Sequence, residues 1–390
     1  ERAAMSKDVN LIVEIDRYKK PARVYSVNER DAAASADDWE LKSKKIAELG
    51  EVDMGDYKEL VRFVNWSVNK YPAENYMVIV WNHGGGWKLK NNRVPFKGIS
   101  YDDESGNNIS TKDLGLAMAS IHGILGKPLD IFGMDACLMQ MMEVAFEVRE
   151  NVKYISASEE TEPGAGWPYD LFLAPVYKNP AMNPEELVKL IPEAYFQYYL
   201  HADTGNGDSP YIMAKKCAAR IKRGGGTTQS AVDCSRLNDL ASALDELAAA
   251  VIEALPSDAD VKTALIKAVS HGQKFYYYDN ADIGDLIWFI RENTKNVKVK
   301  EACQKALMAY KKSVLVSKVT GDAMKDATGM AIYFPMKDFS KAYDSIKFSE
   351  KRWDDMVKAF LATKPVFEDN EDPYGGGASD DSDRFVHSAK

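Results

Sequence analysis

Two stretches of this chain end an apolar run on a side chain able to do chemistry. In the first, Val78-Ile-Val-Trp-Asn-His83 is followed by Gly84, Gly85, Gly86 and Trp87. Glycine lets the backbone turn sharply and lets amide N–H groups approach a bound molecule. In the second, Ile131-Phe-Gly-Met-Asp135-Ala136-Cys137 leads directly into a helical pattern. A cysteine at a helix N-terminus feels the positive end of the dipole, which favours the thiolate. A histidine and a cysteine are the parts of a nucleophile–base pair, and open α/β sheets place their sites at the carboxyl ends of the strands. Of the histidines (83, 122, 201, 271 and 387) only His83 ends a strand pattern, and of the cysteines (137, 217, 234 and 303) only Cys137 does.

Competing chemistries lack their residues. A His-Gly-Gly-Gly run also occurs in lipases, but those need GxSxG downstream, and the nearest analogue here is Gly133-Met-Asp-Ala-Cys137. HExxH and GxxxxGK[ST] are absent, which removes that class of zinc protease and the P-loop. No CxxC pair exists, so a zinc knuckle or thioredoxin-type site is excluded. The acidic loops 102–107 and 203–208 carry calcium-type ligands without EF-hand spacing, so no metal site is expected and Ca²⁺ stays a possibility without a clear motif.

The elements that must position His83 and Cys137 read as alternating strands and helices. Strand patterns cover 10–15, 22–27, 77–81, 129–133 and 153–157, and helical spacing covers 57–71, 112–125 and 138–148. Ser110 and Thr111 are candidate caps of the 112–125 helix. Strands separated by such helices imply right-handed βαβ units and a mostly parallel sheet. The second half is more helical, with patterns over 184–200, 237–252, 260–271, 299–316 and 351–361, and one apolar strand at 329–335 expected to return to the sheet.

Length and composition fit one large α/β domain or two modest domains. The 390 residues are 45% apolar with 14 Phe, 20 Tyr and 7 Trp, enough for a substantial core. No apolar run approaches the roughly 18 residues of a membrane helix. Fifty basic against 59 acidic residues give −9, which argues against nucleic acid as a partner.

Five motifs then occur in a recognisable order: Asp16-Arg-Tyr18, Trp81-Asn-His-Gly-Gly-Gly-Trp87, Met134-Asp-Ala-Cys-Leu138, Ser158-Glu-Glu-Thr-Glu-Pro-Gly-Ala-Gly-Trp-Pro-Tyr169 and Gly329-Met-Ala-Ile-Tyr-Phe-Pro335. Together they resemble the clostripain family of cysteine peptidases, related to gingipains and caspases, over roughly residues 8–340. The resemblance implies a caspase-like α/β fold, with a mostly parallel central sheet flanked by helices and a more helical C-terminal part. It implies His83 and Cys137 as the catalytic pair, Asp135 as the acid at the base of the S1 pocket, and cleavage after Arg or Lys. The implied mechanism places the oxyanion between the backbone N–H groups of Gly84 and Cys137. It makes Trp167 an apolar wall for the substrate stem, with Glu159, Glu160 and Glu162 adding negative potential at the rim. No cofactor is implied. Partners would be proteins or peptides with basic P1 residues, and family habit implies a secreted, cell-surface or periplasmic location. A catalytically inactive caspase-like binding module, or an amidase or esterase for small substrates using the same dyad, are the other readings.

The expected organisation is a catalytic core over 1–214 lacking the family's first strand, a basic glycine-rich insertion at 215–228, a helical part at 229–364 and a disordered acidic tail at 365–390. The polar loop after the histidine holds Lys88, Lys90, Arg93 and Lys97. An enzyme that cuts after basic residues would find its own substrate there, with Lys90, Arg93 and Lys97 as processing candidates. The product would be a two-fragment complex, and the alternative is an uncut monomer.

Overall fold

The computed structural model describes residues 6–30, 43–87, 98–201 and 225–368. The processing candidates Lys90, Arg93 and Lys97, Cys217, the 203–208 loop and most of the 215–228 segment and the acidic tail lie outside the described residues.

The chain opens with three antiparallel strands, β1 (Ile12–Arg17), β2 (Lys20–Arg30) and β3 (Ser43–Gly50), in order β1-β2-β3. They form a separate sheet, not the first strands of a parallel one. The physical reason lies in the sequence: only Tyr18 and Lys19 join β1 to β2, and a parallel pairing needs a crossover of a dozen or so residues. Lys19 makes the tight turn with a φ of 57°.

The helix α1 (Tyr57–Lys70) then leads to β4 (Met77–Trp81), α2 (Thr111–Leu125), β5 (Leu129–Asp135), α3 (Met142–Val148) and β6 (Val152–Ala157). Next come α4 (Tyr169–Lys178), α5 (Pro184–His201), β7 (Thr227–Asp233), α6 (Leu237–Ala254), α7 (Ala259–His271), β8 (Asn280–Asp282), α8 (Ile283–Asn293), α9 (Val297–Ser313), β9 (Val314–Thr320), β10 (Ala331–Tyr333) and α10 (Trp353–Ala362). The central sheet has five strands in the order β4-β5-β6-β7-β9. β4, β5 and β6 are parallel, while β7 is antiparallel to β6 and to β9. All but β7 therefore run one way, and the sheet is mostly parallel. Every residue of β5 is buried, as suits a strand covered on both faces. On one side α1, α2, α3, α6 and α9 bury Val64, Ile121, Phe132, Leu244 and Ala306 in one core. On the other, α5 lies over Ile131 and Ala231 through Val188.

Three expectations fail here for identifiable reasons. The start of β7 falls inside the supposed glycine-rich insertion, yet residues 227–232 are buried. Its polar side chains pair internally: Thr228 Oγ1 meets Ser158 Oγ at 2.9 Å, Gln229 meets Ser156 Oγ at 3.2 Å, and Ser230 Oγ donates to the Gly329 carbonyl at 2.6 Å. The helix expected over 299–316 stops at Ser313, and the β-branched Val314-Leu-Val-Ser-Lys-Val-Thr320 becomes β9. The 329–335 strand does not return to the central sheet. Residues 331–333 pair antiparallel with β8 instead, and Ala331 bridges to Met141. At the tail, Phe367 stacks edge-on against Phe360 at 6.1 Å and the Glu368 N–H donates to Ser270 Oγ at 3.0 Å.

Candidate active site

The register of the parallel pair β4–β5 decides where the chemistry sits. Trp81 stands opposite Asp135, the last residue of each strand. His83 and Cys137 each lie two residues further on, so equivalent steps beyond paired strand ends bring them to the same edge of the sheet. The Asn82 N–H still reaches the Asp135 carbonyl at 3.4 Å. The Asn82 amide oxygen accepts from the His83 N–H at 2.6 Å and the Tyr101 N–H at 3.2 Å, and its Nδ2 donates to the Tyr101 carbonyl at 3.1 Å. The exposed His83 ring meets the Tyr101 ring edge-on at 6.3 Å.

The glycines after His83 are required by contact. A Cβ on Gly84 would sit 2.3 Å from the Cys137 carbonyl oxygen, and one on Gly86 would sit 2.7 Å from Met141 Sδ at a φ of +70°. The backbone after the histidine thus lies directly on the turn carrying the cysteine. Gly84→Ala should force these two segments apart. A shift of about 1 Å at a reacting pair costs about 100-fold in rate, so kcat should fall by that order, and the backbone clash should lower the melting temperature as well. Near-normal turnover in Gly84→Ala would show that the close approach is not needed.

Cys137 does not start a helix. Leu138 takes a φ of 63°, Met141 is extended, and α3 begins only at Met142. The expected dipole assistance is therefore absent at this position. The turn is held instead by the segment after β6: the Leu138 N–H donates to the Glu160 carbonyl at 3.2 Å and the Gln140 N–H to the Ser158 carbonyl at 2.9 Å. The Glu162 N–H points at Cys137 Sγ at 3.2 Å, a donor that stabilises negative charge on sulfur. Cys137 is partly exposed, whereas Cys234 and Cys303 are buried. Burial pushes the Cys234 thiol up and the Cys303 thiol up to about 12.

Asp135 lies beside this turn and is only 2% exposed. Its Oδ2 accepts the Trp167 N–H at 3.1 Å and the Tyr169 hydroxyl at 2.7 Å. Burial raises its carboxyl, with bonds from Glu162, Tyr169 and Trp167 working against the rise. Gly166 and Trp81 close over it, since a Cβ on Gly166 would lie 3.0 Å from Asp135 Oδ2 and 3.1 Å from Trp81 Nε1.

Two expected binding residues sit elsewhere than the spacing suggests. Trp167 is 3% exposed and packs with Phe172 and Leu173 in a second core. It is a support under the site, while Trp81, 65% exposed, is the open aromatic surface there. Glu160 is fully buried and not at a rim. Its Oε1 accepts from Thr161 N–H and Oγ1 at 2.8 and 2.9 Å, and its Oε2 from the Tyr276 N–H at 2.8 Å. Glu159 is also buried, and burial together with the nearby Asp282 carboxyl pushes its own carboxyl well up. A carboxylate satisfied by nearby N–H groups goes inside, and sequence spacing does not show that. Reasoning from sequence also missed Tyr101 and Tyr277. Burial pushes the Tyr277 hydroxyl up to about 12, with Tyr276 and Cys137 adding to the rise. The run Tyr276-Tyr277-Tyr278 was the available signal.

The acidic loop 102–107 binds itself: Asp102 Oδ1 accepts from the Glu104 and Ser105 N–H groups at 2.8 and 2.9 Å, and Oδ2 from the Met54 N–H at 3.0 Å. Nearby, Asp16, Glu51 and Glu104 bring carboxylate oxygens within 4.8 Å of one another.

An α/β sheet covered on both faces, presenting a cysteine and a histidine at neighbouring strand ends, is the framework of a cysteine peptidase. A family model described as "Clostripain family" matches residues 1–360, and the chain belongs to the clostripain family of cysteine peptidases. It is 26% identical over 200 residues to "Clostripain" of Hathewaya histolytica, an alignment covering 46% of this chain and 38% of that protein. Among solved structures it is similar to a secreted C11 cysteine protease from Bacteroides thetaiotaomicron in complex with an irreversible peptide inhibitor, at TM-score 0.61 and 21% identity over 91% of this chain and 92% of that one. An inactive zymogen C11 protease from Parabacteroides distasonis aligns at TM-score 0.56 and 18% identity, covering 89% and 87%. At these identities the structural likeness speaks for the fold. Among the described residues no helix is long and apolar enough to cross a membrane.

Proposed function

We propose that this chain is a cysteine endopeptidase that cuts after Arg or Lys with Cys137 as nucleophile and His83 as its acid–base partner. The observation that carries the reading is the register Trp81–Asp135, which sets both residues two positions beyond paired strand ends. Cys137 sulfur attacks the scissile carbonyl, an S–C bond forms, and His83 passes a proton to the departing amine as the C–N bond breaks. Water, deprotonated by His83, then displaces the thioester sulfur. The N–H groups of Gly84 and Cys137 receive the oxyanion, and the bare Cα of Gly84 lets its backbone lie against the Cys137 turn. Asp135 supplies the negative charge that selects a basic P1 side chain. Fluorogenic peptides with Arg, Lys, Leu and Asp at P1 test the reading. Hydrolysis of the first two should dominate, whereas hydrolysis only of small esters or amides, or none at all, would refute it.

Self-processing follows from that specificity. Residues 88–97 join the segment after β4 to the segment before α2 and hold four basic residues. Cleavage there leaves β4 paired with β5 and Gly85 N–H bonded to Gly98 O at 2.9 Å, so both fragments stay together. Wild type should resolve into two bands on a denaturing gel yet elute as one species under native conditions. The Cys137→Ala protein should stay one band. A wild type that never splits, or a variant that splits equally, removes the idea. One structural neighbour is described as an inactive zymogen and another as secreted, which supports processing and export here.

A further inference from the structure

Beside Cys137 lies a second carboxyl that the mechanism above does not use. Glu162 carries the N–H that points at the sulfur, and its side chain turns inward toward the Asp135 carboxyl, each acting on the other's ionisation. Trp167 ties the two acids together, its backbone N–H to Asp135 at 3.1 Å and its indole N–H to Glu162 Oε1 at 3.2 Å. With its amide oriented to satisfy both ends, Gln229 of β7 also donates to Glu162 Oε1, at 3.0 Å. Glu162 Oε2 is buried and, among the described residues, receives no donor. Two ionised carboxylates cannot bond to each other, and a buried oxygen without a donor is satisfied if it carries the proton itself.

Among the described residues, no cation acts on either carboxyl. Among the described residues, the groups acting on either carboxyl are the other carboxyl, Tyr169 of α4 and Trp167. Tyr195 of α5 and Cys137 face the same cluster, and the Tyr199 hydroxyl of α5 donates to the Gly166 carbonyl at 2.8 Å. Phenols, an indole, an amide and a thiol surround the acids, and no Lys, Arg or His is among them. A carboxyl pair so placed can hold one negative charge with one proton, or a second negative charge if a cation arrives.

We propose that Glu162 holds the proton that keeps Asp135 paired while the site is empty, and that a P1 Arg or Lys side chain releases this proton to solvent as it binds. The inference rests on the reading that Asp135 faces the P1 side chain. The exchange balances: one proton leaves, one cationic side chain enters, and the net charge of the pocket stays the same. Affinity for a basic P1 residue then rises with pH until the empty pair has lost its proton unaided, because binding favours the doubly ionised form. A neutral P1 residue gains nothing from that ionisation.

The test uses wild-type enzyme and two fluorogenic peptides identical except for Arg or norleucine at P1. The ratio of their kcat/KM values cancels the ionisation of Cys137 and His83, which both substrates share. Between about pH 5 and pH 9 the ratio should climb by about tenfold per unit, over at least one unit, before levelling. A ratio that favours Arg but is flat across that range overturns the proton release and leaves the specificity standing. A ratio at or below one at every pH overturns the role of Asp135 and this inference with it. Glu162→Gln keeps an acceptor for the Trp167 indole and offers Asp135 a permanent N–H, so this variant should favour Arg with no pH slope. A slope that survives in Glu162→Gln assigns the proton elsewhere and overturns the proposal. Should that variant fail to fold, proton counting on wild type decides. In weak buffer with an indicator dye, an irreversible Arg-peptide inhibitor should release about one proton more than its norleucine twin, and equal release refutes the proposal.

Discussion

Cys137→Ala and His83→Ala should each lower kcat/KM for Arg- and Lys-peptides by about 10³- to 10⁶-fold, the range seen when one member of a nucleophile–base unit is removed. The fold should persist. Cys137 is partly exposed and loses one sulfur atom, and His83 is exposed with its backbone held by Asn82. Cost to stability should be no more than about 1–2 kcal/mol in either case. Thermal melts beside the kinetics separate lost chemistry from lost structure. Activity within tenfold of wild type, in a variant that melts normally, would remove that residue from the dyad.

The second large effect belongs to Asp135. Asp135→Ala should lower kcat/KM for Arg and Lys substrates by about 30- to 1000-fold, the value of a buried charge-assisted contact of about 2–4 kcal/mol. Leu substrates should fall far less. The structure sharpens this test, because Asp135 also accepts from the Trp167 N–H and the Tyr169 hydroxyl. Asp135→Asn retains an acceptor for those donors while removing the charge, so it should show the same selective loss with less damage to stability. An equal drop for Arg, Lys and Leu would mean that Asp135 holds the 167–169 turn in place and does not choose the substrate.

What was legible in the sequence is local, and what was not depends on contacts made across the chain. β5 stood out because it is buried along its whole length, and β4 because its five residues are all apolar, although it turns out to be an edge strand in which only Val80 is buried. α2 stood out because Ser110 caps its start and bonds Asp113. The site edge followed, since both chemical residues sit just past those two strands. β7 was hidden because Thr-Thr-Gln-Ser reads as loop, and its burial depends on partners such as Ser158 and Gly329. β9 was absorbed into α9 because no glycine or proline separates Ser313 from Val314. The first turn expected for α3 was lost to Leu138, whose positive φ is sustained by hydrogen bonds to residues 158 and 160. Spacing correctly singled out the 158–169 segment, but it does not say which way Glu160 and Trp167 point. Both turned inward because partners were waiting there: the Tyr276 N–H for Glu160, and Phe172 with the Glu162 carboxyl for Trp167.

The most direct test of the assignment is covalent capture of the nucleophile. A peptide acyloxymethyl ketone with Lys at P1, incubated with the intact enzyme and mapped by mass spectrometry, should modify Cys137 once. It should leave Cys234 and Cys303 untouched, both being buried with thiols pushed up. His83→Ala should be modified far more slowly, and the same peptide with Asp at P1 should label poorly. A label on any other residue, or continued peptide hydrolysis by enzyme whose Cys137 is fully modified, would contradict the account.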